Sequence, residues 1–158
     1  MNKSNIIYLP HDSLRERSKK VSVFSDEIAQ LITDMESATL DWEASREHEV
    51  GVALAAVQVN RLERIVVIRN DFNDKNNKKF DVFINPKIVK YEGEIVEDFE
   101  GCLSVRDVYG RVPRHTKVRV SALDENGREI RIRADGFLAR VFQHEIDHTN
   151  GKLFVDHI

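Results

Sequence analysis

The chain has 158 residues, 41% apolar and 32% charged, which suits one globular domain with a core of its own and excludes a disordered chain. A net charge of −3 leaves no footprint for nucleic acid or an anionic membrane, and no apolar run is long enough for a membrane span or a signal peptide. The single cysteine, Cys102, excludes an internal disulfide framework and points to a reducing, cytoplasmic compartment.

Leu9-Pro10-His11-Asp12 opens a turn, followed by a short mixed segment from Leu14 to Val23. Ser25 followed by Asp26 and Glu27 reads as a helix start, and Ile28, Leu31, Ile32, Met35 and Thr39 or Trp42 keep the helical period. Glu43 to Glu49 reads as a polar loop. The small residues of Gly51-Val52-Ala53-Leu54-Ala55-Ala56-Val57-Gln58 suit close packing against a neighbour and end in one amide side chain. Arg64 to Ile68 predicts a strand, Asn70 to Lys79 a mobile Asn/Lys-rich connection, and Phe80 to Ile84 a second strand stopped by Asn85-Pro86. Lys117 to Leu123 and Glu129 to Ala134 alternate around Asp124-Glu125-Asn126-Gly127 and predict a hairpin. The basic residues of this region (Arg111, Arg114, Lys117, Arg119, Arg128 and Arg131) are expected on the solvent faces of strands. Asp135 can cap a last helix from about Gly136 to Thr149, ended by Asn150-Gly151. The order of helix, strands and helix argues α+β, and no internal repeat is visible.

The last helix is apolar nearly all round, so it is expected to be buried, yet it carries Gln143-His144-Glu145-Ile146-Asp147-His148. An H-E-x-x-H pattern on a helix sets two imidazoles on one face, where both can bind one metal ion, with the glutamate beside the ion's open position. The pattern proposes metal-assisted hydrolysis and lacks a third ligand. His11, His48, His115 and His157 sit in turn or loop contexts and are expected on the surface. Cys102, in Glu100-Gly101-Cys102-Leu103-Ser104, completes a valid set for Zn²⁺ or Fe²⁺, and equally reads as a buried cysteine packed as a small hydrophobe.

Taken together and in order, these three segments resemble the peptide deformylase family, whose patterns are G-x-G-L-A-A-x-Q, E-G-C-L-S and Q-H-E-x-D-H. The likeness extends to Ile84-Asn85-Pro86, Val112-Pro113-Arg114 and Gly151-Lys152-Leu153-Phe154 and covers nearly the whole chain. It implies mixed or antiparallel sheets packed around a central buried helix. It also implies that Cys102, His144 and His148 hold one divalent ion, Fe²⁺ in the cell and Zn²⁺ or Ni²⁺ after purification. Glu145 is implied as the proton acceptor and donor, with the Gln58 amide and the Leu103 backbone N–H as donors to the oxyanion. The implied substrate is the formyl-methionine terminus of a new polypeptide, and the product is formate. Val52, Phe137, Arg140 and Val141 are the candidates for the methionine pocket, Ala53 and Leu54 are further candidates for binding substrate, and Glu100 and Gln143 would orient ligands.

Four positions depart from the family pattern: Ala53 replaces its second glycine, Val57 a frequent proline, Arg106 another proline, and Arg140 the apolar residue that most relatives carry. For Arg140 two expectations compete, a packed stem with its guanidinium in solvent or a charge rimming the methionine pocket. The chain stops soon after Leu153-Phe154-Val155-Asp156, where many bacterial members continue into a ribosome-docking helix. Ribosome contact is therefore not expected, and a monomer is. Two other readings stay open: a different metallohydrolase such as a peptidase, and a non-catalytic binder of formylated termini.

Overall fold

The computed structural model describes residues 1–158. The apolar period between Ile28 and Trp42 forms α1, Asp26–Ala44. Ser25 stands at its N-cap in extended backbone but makes no side-chain cap bond, so Asp26 and Glu27 in the first turn are what face the positive end of the helix dipole. The helix runs past the expected loop start at Glu43, which is buried rather than exposed.

Five strands form one antiparallel sheet in sequence order: β1 Ala53–Ala55, β2 Ile65–Arg69, β3 Phe80–Cys102, β4 Val105–Leu123 and β5 Glu129–Asp135. Strand alternation divides the core in two. Leu54, Ile65, Val67 and Ile84 pack with Leu31, Met35 and Ala38 of α1. Ala53, Ala55, Val66, Ile68 and Phe83 pack on the opposite face with Ala139, Phe142 and Ile146 of α2, Gly136–Thr149. Burial on both faces is why Ile65 to Ile68 of β2 read as an unbroken apolar run. Each such side chain taken fully from water is worth about 1.5–3 kcal/mol. No helix is long and apolar enough to cross a membrane.

The sequence suggests that Asn85-Pro86 stops the second strand, but β3 passes through it and runs 23 residues in all, from Phe80 to Cys102. The register shifts between Ile84 and Lys87, and Asn85 takes a φ of 52°, so the proline without an N–H falls in a bulge. The Asn85 side chain accepts from Val21 N at 2.8 Å and donates to Val21 O at 2.9 Å, imitating a strand neighbour. Three further register shifts mark the β3–β4 ribbon, and its turn at Leu103-Ser104 presents Cys102. The connection from Asn70 to Lys79 is laced by its own side chains, including Asn73 N to Asp71, Asn76 N to Asp74 and Lys79 N to Asn77.

Asp135 holds the N-cap position of α2 without a side-chain cap bond. At the other end Gly151 N donates to His148 O at 3.1 Å and Lys152 N to Asp147 O at 2.9 Å, the paired bonds of a Schellman cap. Gly151 has φ +76°, and a Cβ there would sit 2.4 Å from the Arg15 carbonyl oxygen. Gly151→Ala is therefore expected to destabilise the fold by about 1–3 kcal/mol, measured by urea unfolding; an unchanged midpoint would contradict this cap.

Candidate metal centre

Helix α2 lies against the sheet with His144 and His148 on its buried face, their rings edge-on at 5.0 Å. The end of β3 brings Cys102 to them, and its Sγ stands 3.3 Å from His148 Nε2. One donor atom from each of Cys102, His144 and His148 falls within 4.8 Å of the others. Metal–sulfur bonds of about 2.3 Å and metal–nitrogen bonds of about 2.0–2.1 Å fit such a spacing.

Polar groups inside a core need partners, and one carboxylate supplies the main one. Glu100 Oε1 meets His144 Nδ1 at 2.8 Å, which leaves Nε2 of that ring as the free donor. Arg114 grips both Glu100 oxygens, Nε to Oε2 at 2.9 Å and Nη2 to Oε1 at 3.0 Å. Arg140 Nη1 adds a bond to Oε2 at 2.8 Å. Burial alone would raise the Glu100 pKa, but the bonds from His144 and Arg114 outweigh it and hold the value at about 2. The group is thus a fixed anion. Burial, and then the neighbouring His144, push His148 well below the usual histidine range, which keeps its ring neutral. His144 goes the other way: burial opposes its charge, yet Cys102 and Glu100 raise its pKa, so a metal binding there displaces a proton.

These contacts correct two expectations. Arg114 is buried, not on a solvent face, and it also binds Asp147 at 2.7 Å. Arg140 does not send its guanidinium to solvent; it is buried, with further bonds to Val112 O and Val96 O, both at 2.8 Å. It does line the cavity in front of Cys102 and His144. Gln143 ties α2 to β4 through His115 N at 3.0 Å and His115 O at 2.8 Å.

The cavity is walled by Val52, Ala53, Phe137, Arg140 and Val141, with Gln58, Leu103, Cys102, His144 and Glu145 along it. Leu54 is the exception among the predicted substrate-binding residues. It alternates away from Ala53 into the α1 core and is fully buried there. Missed in the sequence were Trp42, Val50, Phe99 and Tyr109. Phe99 and Tyr109 are 66% and 65% exposed, a pair of aromatic side chains held at the rim where solvent would normally disfavour them. Only their place beside the Glu100-to-Cys102 segment in a longer ribbon could have signalled them.

Glu145 is buried beside His144, its Oε2 3.7 Å from His144 Nε2, while its Oε1 has no partner. Burial pushes its pKa up to about 7. Gln58 is anchored by Ala55 N, which donates to its Oε1 at 2.9 Å, and its Nε2 reaches Ser104 Oγ at 3.1 Å and Cys102 Sγ at 3.5 Å. The Leu103 N–H, in the ribbon turn, is taken by no backbone carbonyl. An orphaned buried carboxylate oxygen next to a thiol and two imidazoles is costly in a closed protein and useful beside a divalent ion. The residues therefore fit a soft or borderline ion, and not the all-oxygen sites of Mg²⁺ or Ca²⁺.

An antiparallel α+β domain in which two histidines and a cysteine converge beside a free glutamate at a cavity defines a metallohydrolase-type centre. The sequence agrees with one such family over almost its full length. The family model for polypeptide deformylase matches residues 3–158, and the chain belongs to that family. It is 46% identical over 143 residues to peptide deformylase 2 of Clostridium acetobutylicum, covering 90% of this chain and 87% of that protein. Peptide deformylase 1 of Pseudomonas syringae pv. tomato is 44% identical, with 98% and 86% covered. Among solved structures, a Synechococcus elongatus peptide deformylase in complex with actinonin superposes with a TM-score of 0.88 at 41% identity, covering 97% of this chain and 79% of that one. A probable peptide deformylase from Synechococcus phage S-SSM7 gives a TM-score of 0.85 at 35% identity, with 97% and 98% covered.

Because Glu100 fixes the ring of His144, Glu100→Gln is expected to weaken metal affinity about 10–100-fold. Competition against a chelator measures this, and parent-like affinity would show that the ring is oriented by something else.

Proposed function

We propose that the protein removes the N-formyl group from the formyl-methionine end of newly made polypeptides and releases formate. One observation carries this reading: Glu145, with a free carboxylate oxygen, lines one largely apolar cavity with Cys102 and His144, and the fully buried His148 completes their donor set behind it, in a chain of the polypeptide deformylase family. Fe²⁺ is proposed as the ion in the cell, with Zn²⁺ or Ni²⁺ able to take the same donors. When bound, the ion supplies Lewis acidity, lowering the pKa of water and polarising a carbonyl. A thiolate ligand at Cys102 also suits a reducing cytoplasm.

The chain's own residues divide the remaining work. Glu145 accepts a proton from the attacking water at its free oxygen and returns it to the departing amine, one carboxylate serving as base and then acid. Burial brings its pKa near neutrality, which matches that double role; a nearby divalent cation acts in the opposite direction and favours the base form. Gln58 cannot swing, because Ala55 N–H holds its oxygen, so its Nε2 stays turned toward Cys102. From there it donates to the formyl oxygen as negative charge builds, together with the free Leu103 N–H. Strand β1 is one edge of the sheet, and the cavity includes Ala53 at its start and Val52 just before it. A peptide backbone can pair there as an added strand, with the methionine side chain against Val52, Phe137, Val141 and the stem of Arg140.

The reading is tested by formate release from a formyl-methionyl tripeptide, with the acetylated peptide as control. The metal-loaded protein is expected to deformylate the first and leave the second intact; full metal content without formate release would overturn the reading. Glu145→Gln is expected to lose about 10²–10⁴-fold in turnover and to keep its metal. Gln58→Ala is expected to lose about 2.7–4 kcal/mol of transition-state stabilisation, again at parent metal content.

A further inference from the structure

The most deeply buried ion pair lies outside the metal centre, between Glu43 at the end of α1 and Arg69 at the end of β2, at 1% and 0% side-chain exposure. Arg69 Nη1 meets Glu43 Oε1 at 2.6 Å and Nη2 meets Oε2 at 3.3 Å, a two-pronged grip. Its remaining donors go to backbone: Gly51 O at 3.1 Å, Lys75 O at 3.0 Å and Asn77 O at 2.6 Å. Glu43 in turn accepts from Gly51 N at 2.9 Å and from Lys78 Nζ at 3.0 Å. Both backbone groups of Gly51 are thus held by the two partners of one pair.

Gly51 has no room to sit elsewhere. A Cβ on it would be 2.7 Å from Thr39 Cγ2 and 2.8 Å from the Thr39 carbonyl oxygen of α1. The next residue, Val52, is fixed as well, because Arg69 N donates to its carbonyl at 2.6 Å. Glu49, Val50, Val52 and Ala53 line the cavity, so the residues flanking this anchored glycine form one of its walls. The connection between β2 and β3 touches the cavity a second way: Phe72 packs edge-on against Phe137 at 4.9 Å, and Phe137 lies on the cavity rim.

A buried ion pair is a poor source of net stability compared with apolar side chains of the same volume, because desolvation consumes most of the attraction. What it supplies is a fixed geometry for everything bonded to it. We propose that Glu43 and Arg69, with the Asn70–Lys79 connection bound to them, are positioning residues that set the 49–53 wall of the cavity and thereby govern peptide binding. This rests on the deformylase reading for its substrate. Burial would raise the pKa of Glu43, but its bonds to Arg69, Lys78 and Gly51 hold it at about 2, so the pair stays charged through the neutral range.

The prime test variant is the double Glu43→Leu/Arg69→Met, which removes both charges and leaves none stranded. Phe72→Ala tests the connection with the pair intact. For each, kcat and KM are measured on formyl-Met-Ala and on a longer formyl-Met peptide, together with metal content and backbone amide exchange at residues 49–53. The double variant is expected to exchange faster at Val50 to Ala53. Its KM for the longer peptide should rise about tenfold while kcat and metal content stay near parent, the pattern of binding lost equally from ground state and transition state. Phe72→Ala should show the same pattern in smaller measure. Parent-like KM and parent-like exchange at 49–53 would overturn the proposal, as would a fall in kcat that merely follows lost metal. A parent protein that releases no formate fails the deformylase reading, whereas the exchange at 49–53 still tests the wall. If the double variant does not fold, Arg69→Lys, which keeps the charge and loses the fork, carries the same comparison.

Discussion

The structure depends on a carboxylate placed where carboxylates are rarely found. Helix α2 is buried, yet it presents two imidazoles and a glutamate to the interior, and those groups need fixed partners. Glu100 provides the fixed negative charge, and it remains ionised in that setting because Arg114, Arg140 and His144 all bond to it. Arg114 then reaches Asp147 on the outer turn of the same helix, and Arg140 reaches back to Val96 and Val112 on the ribbon. One anion therefore locks the helix to β3 and β4 and aims the ring of His144. The same ribbon end, two residues on, delivers Cys102.

A second buried carboxylate repeats the device on the opposite wall. Glu43 holds Arg69 as Glu100 holds Arg114, and each pair fixes a segment next to the cavity. The metal centre and the peptide wall thus have separate supports, one at the end of β3 and one at the end of β2. Such an arrangement keeps reacting groups free of the work of holding the fold together. Glu145 illustrates the point: its Oε1 is buried and left without a partner.

Much of this was legible in the sequence because it depends on short spacings. The helical period around Leu31 and Met35, the hairpin at Asp124–Gly127 and the helical spacing of His144 and His148 are all local patterns, and the structure places each as read. Cys102 needed the resemblance, since a lone cysteine carries no geometry. What could not be read depends on partners far along the chain. Arg114 and Arg140 look like surface charges until Glu100, 14 and 40 residues away, is seen between them. Glu43 looks like the start of a polar loop until Arg69 is seen 26 residues on. Asn85-Pro86 looks like a stop because the bonds that carry the strand through it come from Val21. Leu54 was grouped with Val52 and Ala53 by pattern, but alternation along a strand sends neighbours to opposite faces.

The central claim is that Cys102, His144 and His148 form one metal centre whose ligands are aimed by the surrounding fold. Titration of the metal-free protein with Co²⁺ under anaerobic conditions tests this directly, because a thiolate ligand gives a charge-transfer band in the near ultraviolet. The account predicts saturation at one equivalent with that band present, its loss in Cys102→Ser, and weakened binding in His144→Ala and His148→Ala. A parent protein that binds no Co²⁺, or binds it with the band absent, would contradict it.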